Sequence, residues 1–168
     1  MDLGTHLFTG VITASLWPSL DLRQKILVVL FSILPDCTEW LNYFSLKKHN
    51  GDSHFSIDEY SKLSREIKNP FSLTYSLLHS IFTPLIFFII SIIFNWSLVF
   101  SMMWFMHLLL DLPSHKVKLG LKLWWPLSQQ RLKGFFDWWH VKFFNSWELW
   151  GYWTLLAVIS FIIVKNFW

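Results

Sequence analysis

Apolar and polar positions do not alternate along this chain; they come in blocks. Residues 3–17 are apolar with small polar insertions, Trp17-Pro18-Ser19 interrupts them, and a second apolar run over 26–34 ends at Pro35. Each run is shorter than the roughly 20 residues that cross a bilayer as a helix. They are expected to be two short helices forming an N-terminal hairpin, partly inserted or extended by neighbouring polar residues. Residues 42–69 then change character, with Lys47, Lys48, His49, Asn50, Gly51 and Asp52 followed by Asp58, Glu59, Lys62, Arg65, Glu66 and Lys68. This reads as a hydrophilic loop carrying one short surface helix over 56–67, which Ser56 would cap with Glu59 three residues later.

Pro70 restarts the apolar text. The run over 71–94 is long enough to span, with a kink expected at Pro84. Asn95-Trp96 is the turn before 97–112 returns, so these two helices are expected as an antiparallel central pair. A basic, Trp-rich segment over 113–146 follows, and 147–164 reads as a last spanning helix before Lys165. The pattern predicts an all-α protein: a polytopic helical membrane bundle, with residues 1–168 forming one integral membrane domain.

Composition agrees with that pattern. Hydrophobic residues make up 54% of the chain and charged residues 15%, against about 25% charged in ordinary soluble domains. Twelve Trp and seventeen Phe suit a protein that meets headgroups, where an indole satisfies its apolar body and its N–H together. The net charge of +3 raises the question of nucleic acid. However, Lys116, Lys118, Lys122, Arg131, Lys133 and Lys142 are interleaved with Trp124, Trp125, Trp138 and Trp139. That is the pattern of an interfacial segment against anionic lipid, and no nucleic-acid motif accompanies it. Membrane lipid is the expected partner and nucleic acid is not.

Those six basic residues, with Lys47, Lys48, Lys62, Arg65 and Lys68, fall on one side of the predicted topology, opposite Arg23, Lys25 and Lys165. The positive-inside rule makes the first side cytoplasmic. Cys37 is the single cysteine, which excludes an intrachain disulfide and a Cys-rich zinc finger. With Asp2 and no basic residue before Arg23, the start lacks the charge of a secretory signal, and residues 1–16 are expected to belong to the mature fold.

Ionisable side chains in or at the ends of apolar helices are costly and need a partner. Here they are His6, Asp36, Glu39, His79, His107, Asp111 and His115, and the predicted topology brings them all to the cytoplasmic side. The sharpest local signal is His107-Leu-Leu-Leu-Asp111-Leu-Pro-Ser-His115. Residues four apart share a helix face, so His107 and Asp111 can hold one ion together, or Asp111 can bridge two. Pro113 is expected to end that helix, which leaves His115 to fold back onto the site.

Bland readings compete with each residue. His107 with Asp111 can be a neutral hydrogen-bonded pair. His79 can be a packing histidine bonded to Ser76, Ser80 or Thr83, Asp36 an N-cap, and Glu39 a first-turn acid. His49, His54 and His140 read as solvated or interfacial. Taken together, the bland readings require separated segments to place imidazoles and carboxylates at one membrane depth by accident. Imidazole with carboxylate and no thiolate suits zinc, manganese or iron.

These residues resemble a family of small bacterial inner-membrane proteins described as membrane-bound metal-dependent hydrolases. The likeness covers most of the chain. It rests on Thr5-His6 with Gly10, Leu34-Pro35-Asp36, Leu78-His79-Ser80, His107-Leu-Leu-Leu-Asp111, Ser114-His115, Gly120 and Trp125-Pro126-Leu127. The order is also similar, more remotely, to the ligand order of zinc-dependent phospholipases C, which are all-helical enzymes acting on phosphoesters. That likeness implies His6, Asp36, His79, His107 and His115 around one or two divalent ions, zinc first among them, with Asp111 bridging. The late His-x-x-x-Glu pair of the phospholipases has no match, His140 and Glu148 being the nearest residues at the wrong spacing.

The expected function is therefore hydrolysis of an ester or phosphoester of a lipid or lipid-linked molecule, by water that the metal activates. Asp36 or Glu39 would serve as general base, and Lys116 and Lys118 would attract an anionic head group. The alternative is a non-catalytic membrane protein in which the cluster holds a structural ion, carries metal or protons, or serves an assembly factor.

Overall fold

A computed structural model describes residues 3–51, 56–67, 69–115, 120–135 and 147–167. His54, Lys68, Lys116, Lys118, Trp138, Trp139, His140 and Lys142 lie outside the described residues, as does the side chain of Glu148. Among the described residues all regular structure is helical: α1 Leu3–Ser15, α2 Leu22–Asn50, α3 Ile57–Glu66, α4 Pro70–Leu78, α5 Phe82–Ile93, α6 Val99–Ser114 and α7 Trp147–Phe167.

The expected hairpin forms, but its second limb is far longer than 26–34. Asp21 caps α2 reciprocally with Gln24, and the helix runs through Pro35 to Gly51, which takes the left-handed cap with φ of 71°. Pro35 does not end it. The hydroxyl of Thr38 donates to the Pro35 carbonyl at 2.6 Å, and packing against α1, α4 and α6 holds the turn that the proline weakens. Asp36 is thus a residue of the helix interior and not an N-cap. Residues 42–50, expected in a loop, form the last turns of α2, where Lys47, Lys48 and His49 complement the helix dipole. At about 43 Å, this helix reaches past any single bilayer leaflet, and its end seats α3 through Leu46 and Tyr60, both buried. α3 starts at the predicted Ser56–Glu59 capping box.

The kink expected at Pro84 lies elsewhere. α4 and α5 meet at 65° across His79, Ser80 and Ile81, while Pro84 sits in the first turn of α5, where a helix N–H has no partner anyway. Several backbone groups opened by the break are bonded. The Leu77 carbonyl accepts from the Ser80 N–H at 3.1 Å and the Thr83 hydroxyl at 2.6 Å. The Leu78 carbonyl accepts the Trp104 indole N–H at 2.8 Å, and the Ile81 N–H donates to the Leu123 carbonyl at 2.9 Å. Broken helices persist in a dry environment only where such partners exist. The α5–α6 turn falls at Asn95, with φ of 53°, a conformation that asparagine tolerates better than most residues. α5 and α6 pack together as expected.

α5 turns its polar side chains inward and its apolar ones outward, while α6 buries polar side chains together with Val99, Phe100, Met103, Trp104 and Leu108. Thr83, Ser91, Ser101, His107, Asp111 and Ser114 are buried in α5 and α6, while Leu85, Ile86, Phe88, Ile89, Ile92 and Ile93 are exposed. One helix, Leu22–Asn50, is long and apolar enough to cross a membrane, and the bent α4–α5 pair makes a second if taken as one span.

Two glycines permit the close approaches that build the site. A Cβ on Gly10 of α1 would stand 2.3 Å from the Ser32 hydroxyl and 3.1 Å from the Val29 Cα on α2. A Cβ on Gly120 would stand 2.3 Å from the Leu132 carbonyl, in a strap over 120–135 whose limbs are tied by the Leu132 N–H donating to Leu121 at 2.9 Å. Gly10→Ala should therefore separate α1 from α2 and cost about 1–3 kcal/mol. Thermal unfolding in detergent should show a lowered Tm, whereas Leu7→Ala, on the exposed face of the same helix, should change it little.

Candidate metal centre

The helices bring six of the seven predicted residues to one point. His6 comes from α1, Asp36 from α2, His79 from the α4–α5 break, His107 and Asp111 from α6, and His115 from the cap of α6. All are buried. The His107–Asp111 spacing puts both side chains on the face of α6 turned to α2, as the i, i+4 rule requires.

The Asp111 carboxylate is the hub. Its Oδ1 lies 3.1 Å from His6 Nε2 and 3.7 Å from His115 Nδ1, and its Oδ2 lies 3.1 Å from His107 Nε2 and 3.5 Å from His79 Nε2. Asp36 repeats the pattern more loosely, with Oδ1 at 3.6 Å from His107 and 3.9 Å from His79, and Oδ2 at 3.8 Å from His6. The His6 and His107 rings stack, their centroids 3.8 Å apart.

Proton positions decide what this cluster can do. A backbone carbonyl only accepts, so a ring nitrogen bonded to one must carry hydrogen. The Nδ1–H of His107 donates to Ser32 at 2.7 Å, that of His79 to Tyr75 at 3.0 Å, and that of His115 to Asp111 at 3.0 Å. Each neutral ring then has its lone pair on Nε2. Burial pushes the His115 imidazole down to about 4, so it is neutral near pH 7.

The Nε2 atoms of His79 and His107 face each other at 3.4 Å, and both face the carboxylates of Asp36 and Asp111; in the neutral rings they bring lone pairs to this contact, which a proton or a metal ion can occupy. Asp36 Oδ2 and His115 Nε2 are buried with no hydrogen-bond partner. Lone pairs gathered in this way repel unless a cation lies among them. Their spacings also suit one. Ligands about 2.0–2.1 Å from a tetrahedral ion stand roughly 3.3–3.4 Å apart, whereas several of these separations exceed hydrogen-bond length.

His6, Asp36, His107 and Asp111 each offer a ligand atom within 4.8 Å of the others, so this cluster can hold a metal ion. The carbonyls behind His79, His107 and His115 are the outer partners that fix ring orientation in metal sites. Gly10 belongs to this support, because it lets α1 lie against Ser32, whose carbonyl orients His107.

Glu39, the seventh residue, is buried one turn beyond Asp36. It lines a polar cavity of about 410 Å³ that also touches His79. His49, as expected, is exposed. The strap residues Lys122 and Arg131 line the same cavity. Their part in it had no sequence signal beyond general basicity, because the strap must fold back before they meet the helices.

No known protein family matches the chain, nor does any curated protein or solved structure.

Metal analysis of the purified protein should find a bound divalent ion, lost in Asp111→Ala and His107→Ala and kept in His49→Ala. Zinc at about 100 times its Kd should stabilise the protein by about 2.7 kcal/mol, seen as a rise in Tm that a chelator reverses and Asp111→Ala lacks.

Proposed function

We propose that this chain is an integral membrane, metal-dependent hydrolase of the bilayer surface. Zinc is the favoured ion, in one or two copies, and the substrate is an ester or phosphoester of a lipid or lipid-linked molecule. The membrane reading is supported by the polarity of α5 and α6: serine, threonine, histidine and aspartate inside, isoleucine and phenylalanine outside. Lipid is the solvent for which that arrangement is stable. A polytopic bundle then has α2, the bent α4–α5 pair, α6 and α7 as its crossing elements, the shorter ones accommodated by local thinning. Lys47 and Lys48 lie in the last turn of α2 and Lys62 lies on α3, a basic end that favours the cytoplasmic side, while Asp36 stands at the middle of α2. The resemblance to bacterial inner-membrane hydrolases points the same way.

The observation that carries the enzymatic reading over a structural ion is the cavity beside His79. A structural site is closed, whereas a catalytic one keeps an approach for water and substrate. When bound, the divalent ion supplies Lewis acidity and lowers the pKa of water to about 7. His6, Asp36, His107 and Asp111 would hold it, with His79 and His115 at the edge of the cluster. Asp36 stands inside the cluster, 3.6–3.9 Å from three imidazoles, and is one of the residues that can hold the ion, so Glu39 is the better general base. Its carboxylate stands on the cavity wall, where it would take a proton from entering water and return it to the leaving group.

Purified protein should hydrolyse a chromogenic phosphoester or a phospholipid, with activity stopped by a chelator and restored by zinc. Glu39→Gln should retain its metal and lose about 10²–10⁴ in kcat. Stoichiometric metal without turnover on a broad lipid and phosphoester panel would instead favour the structural ion.

A further inference from the structure

The cavity beside the metal centre differs from the apolar groove at Pro84, Phe88 and Phe105, because hydrogen-bonding and charged groups share its wall with Leu73 and Trp125. α2 supplies Asn42, α3 supplies Tyr60 and Ser64, α4 supplies Ser72, and the strap supplies Gln129. Its charged or titratable groups besides the tyrosines are Glu39, His79, Lys122 and Arg131. The two cations come from opposite limbs of the strap. Arg131 Nη1–H donates to the Gly120 carbonyl at 3.1 Å, and the limbs are tied between Leu121 and Leu132 at 2.9 Å. This fixes the Arg131 guanidinium beside Gly120, which lines the same cavity, and sets a permanent positive charge there before any ligand arrives. Asn42 donates to Tyr60 at 3.2 Å and accepts from Asn69 at 3.0 Å, so these lining residues are also held in place.

We infer that this cavity is the head-group subsite of the enzyme: Lys122 and Arg131 bind the phosphate of a phosphate ester, and Asn42, Tyr60 and Gln129 bind the hydroxyls of its polar head. Its standing as a substrate subsite rests on the hydrolase reading; the anion site itself does not. The cavity volume of about 410 Å³ lies in the range of small-molecule sites. The bound head would lie against His79, so the ester is presented to the metal centre from this side. Phosphate and hydroxyls are shared by a soluble ester such as glycerol 3-phosphate and by the head of phosphatidylglycerol.

Calorimetric titration of the full-length protein in neutral detergent with sn-glycerol 3-phosphate tests this, both metal-loaded and after chelation. Metal content and Tm are measured on the same samples. Lys122→Gln and Arg131→Gln should each weaken binding at least about tenfold, with metal retained. Arg131→Lys should keep part of it, Lys165→Gln on α7 should not change it, and glycerol should not bind. Should Arg131→Gln lower Tm by loosening the strap, Lys122→Gln decides. Unchanged affinity in a folded Lys122→Gln protein would overturn the subsite. Wild-type protein without metal would overturn the metal centre alone, since loss of anion binding on charge removal is still expected in chelated protein. Phosphatidylglycerol in nanodiscs that displaces glycerol 3-phosphate would identify the lipid head as the source, and failure to displace it would identify the soluble ester.

Discussion

Two carboxylates and the imidazoles of His6, His79 and His107 converge in one buried cluster, and a cation held among them would stabilise that convergence. The rest of the structure follows from this electrostatic requirement. His79 and His107 hold their Nδ1 hydrogens on backbone carbonyls, which turns both Nε2 atoms toward Asp36 and Asp111. Without an ion, the cluster would concentrate like-signed partial charge in a medium that screens poorly. With one, the same atoms become ligands whose orientation has been settled in advance.

Helix irregularities around the cluster serve it. α2 carries Pro35 directly before Asp36 and one turn past Ser32, whose carbonyl takes up the His107 ring. α4 stops at His79 and α5 departs at 65°, so the imidazole comes from a break and is not confined to the side of a continuous helix. α6 ends at Ser114, and His115 turns back over the last turn to bond the Asp111 carbonyl. Each departure would be costly alone. Together they let four chain segments reach one point through helices that otherwise pack closely, as at Gly10 and Ser32.

Much of the site was legible in the sequence because its elements obey local rules. His107 and Asp111 share a helix face by spacing, Ser56 and Glu59 announce the start of α3, and Asn95 marks the α5–α6 turn. Ionisable residues in apolar text named the ligand candidates, since lipid or a dry core tolerates them only in company. What was not legible depends on tertiary support. Pro35 and the polar residues after it read as a helix end, yet packing and the site itself hold α2 continuous. Pro84 drew the expected kink, although the bend occurs where Thr83, Trp104 and Leu123 can satisfy the opened backbone of 77–81. The cavity escaped notice because Asn42, Tyr60 and Arg131 come together only after α3 and the strap fold onto α2. Local rules fail here where the chain is shaped for function.

The most direct measurement of the central claim is zinc K-edge X-ray absorption on the metal-loaded protein. Nitrogen and oxygen neighbours at about 2.0–2.1 Å, with the outer-shell scattering of imidazole and no sulfur at about 2.3 Å, are the predicted result. A shell of water oxygens without imidazole, or one containing the Cys37 sulfur, would contradict it.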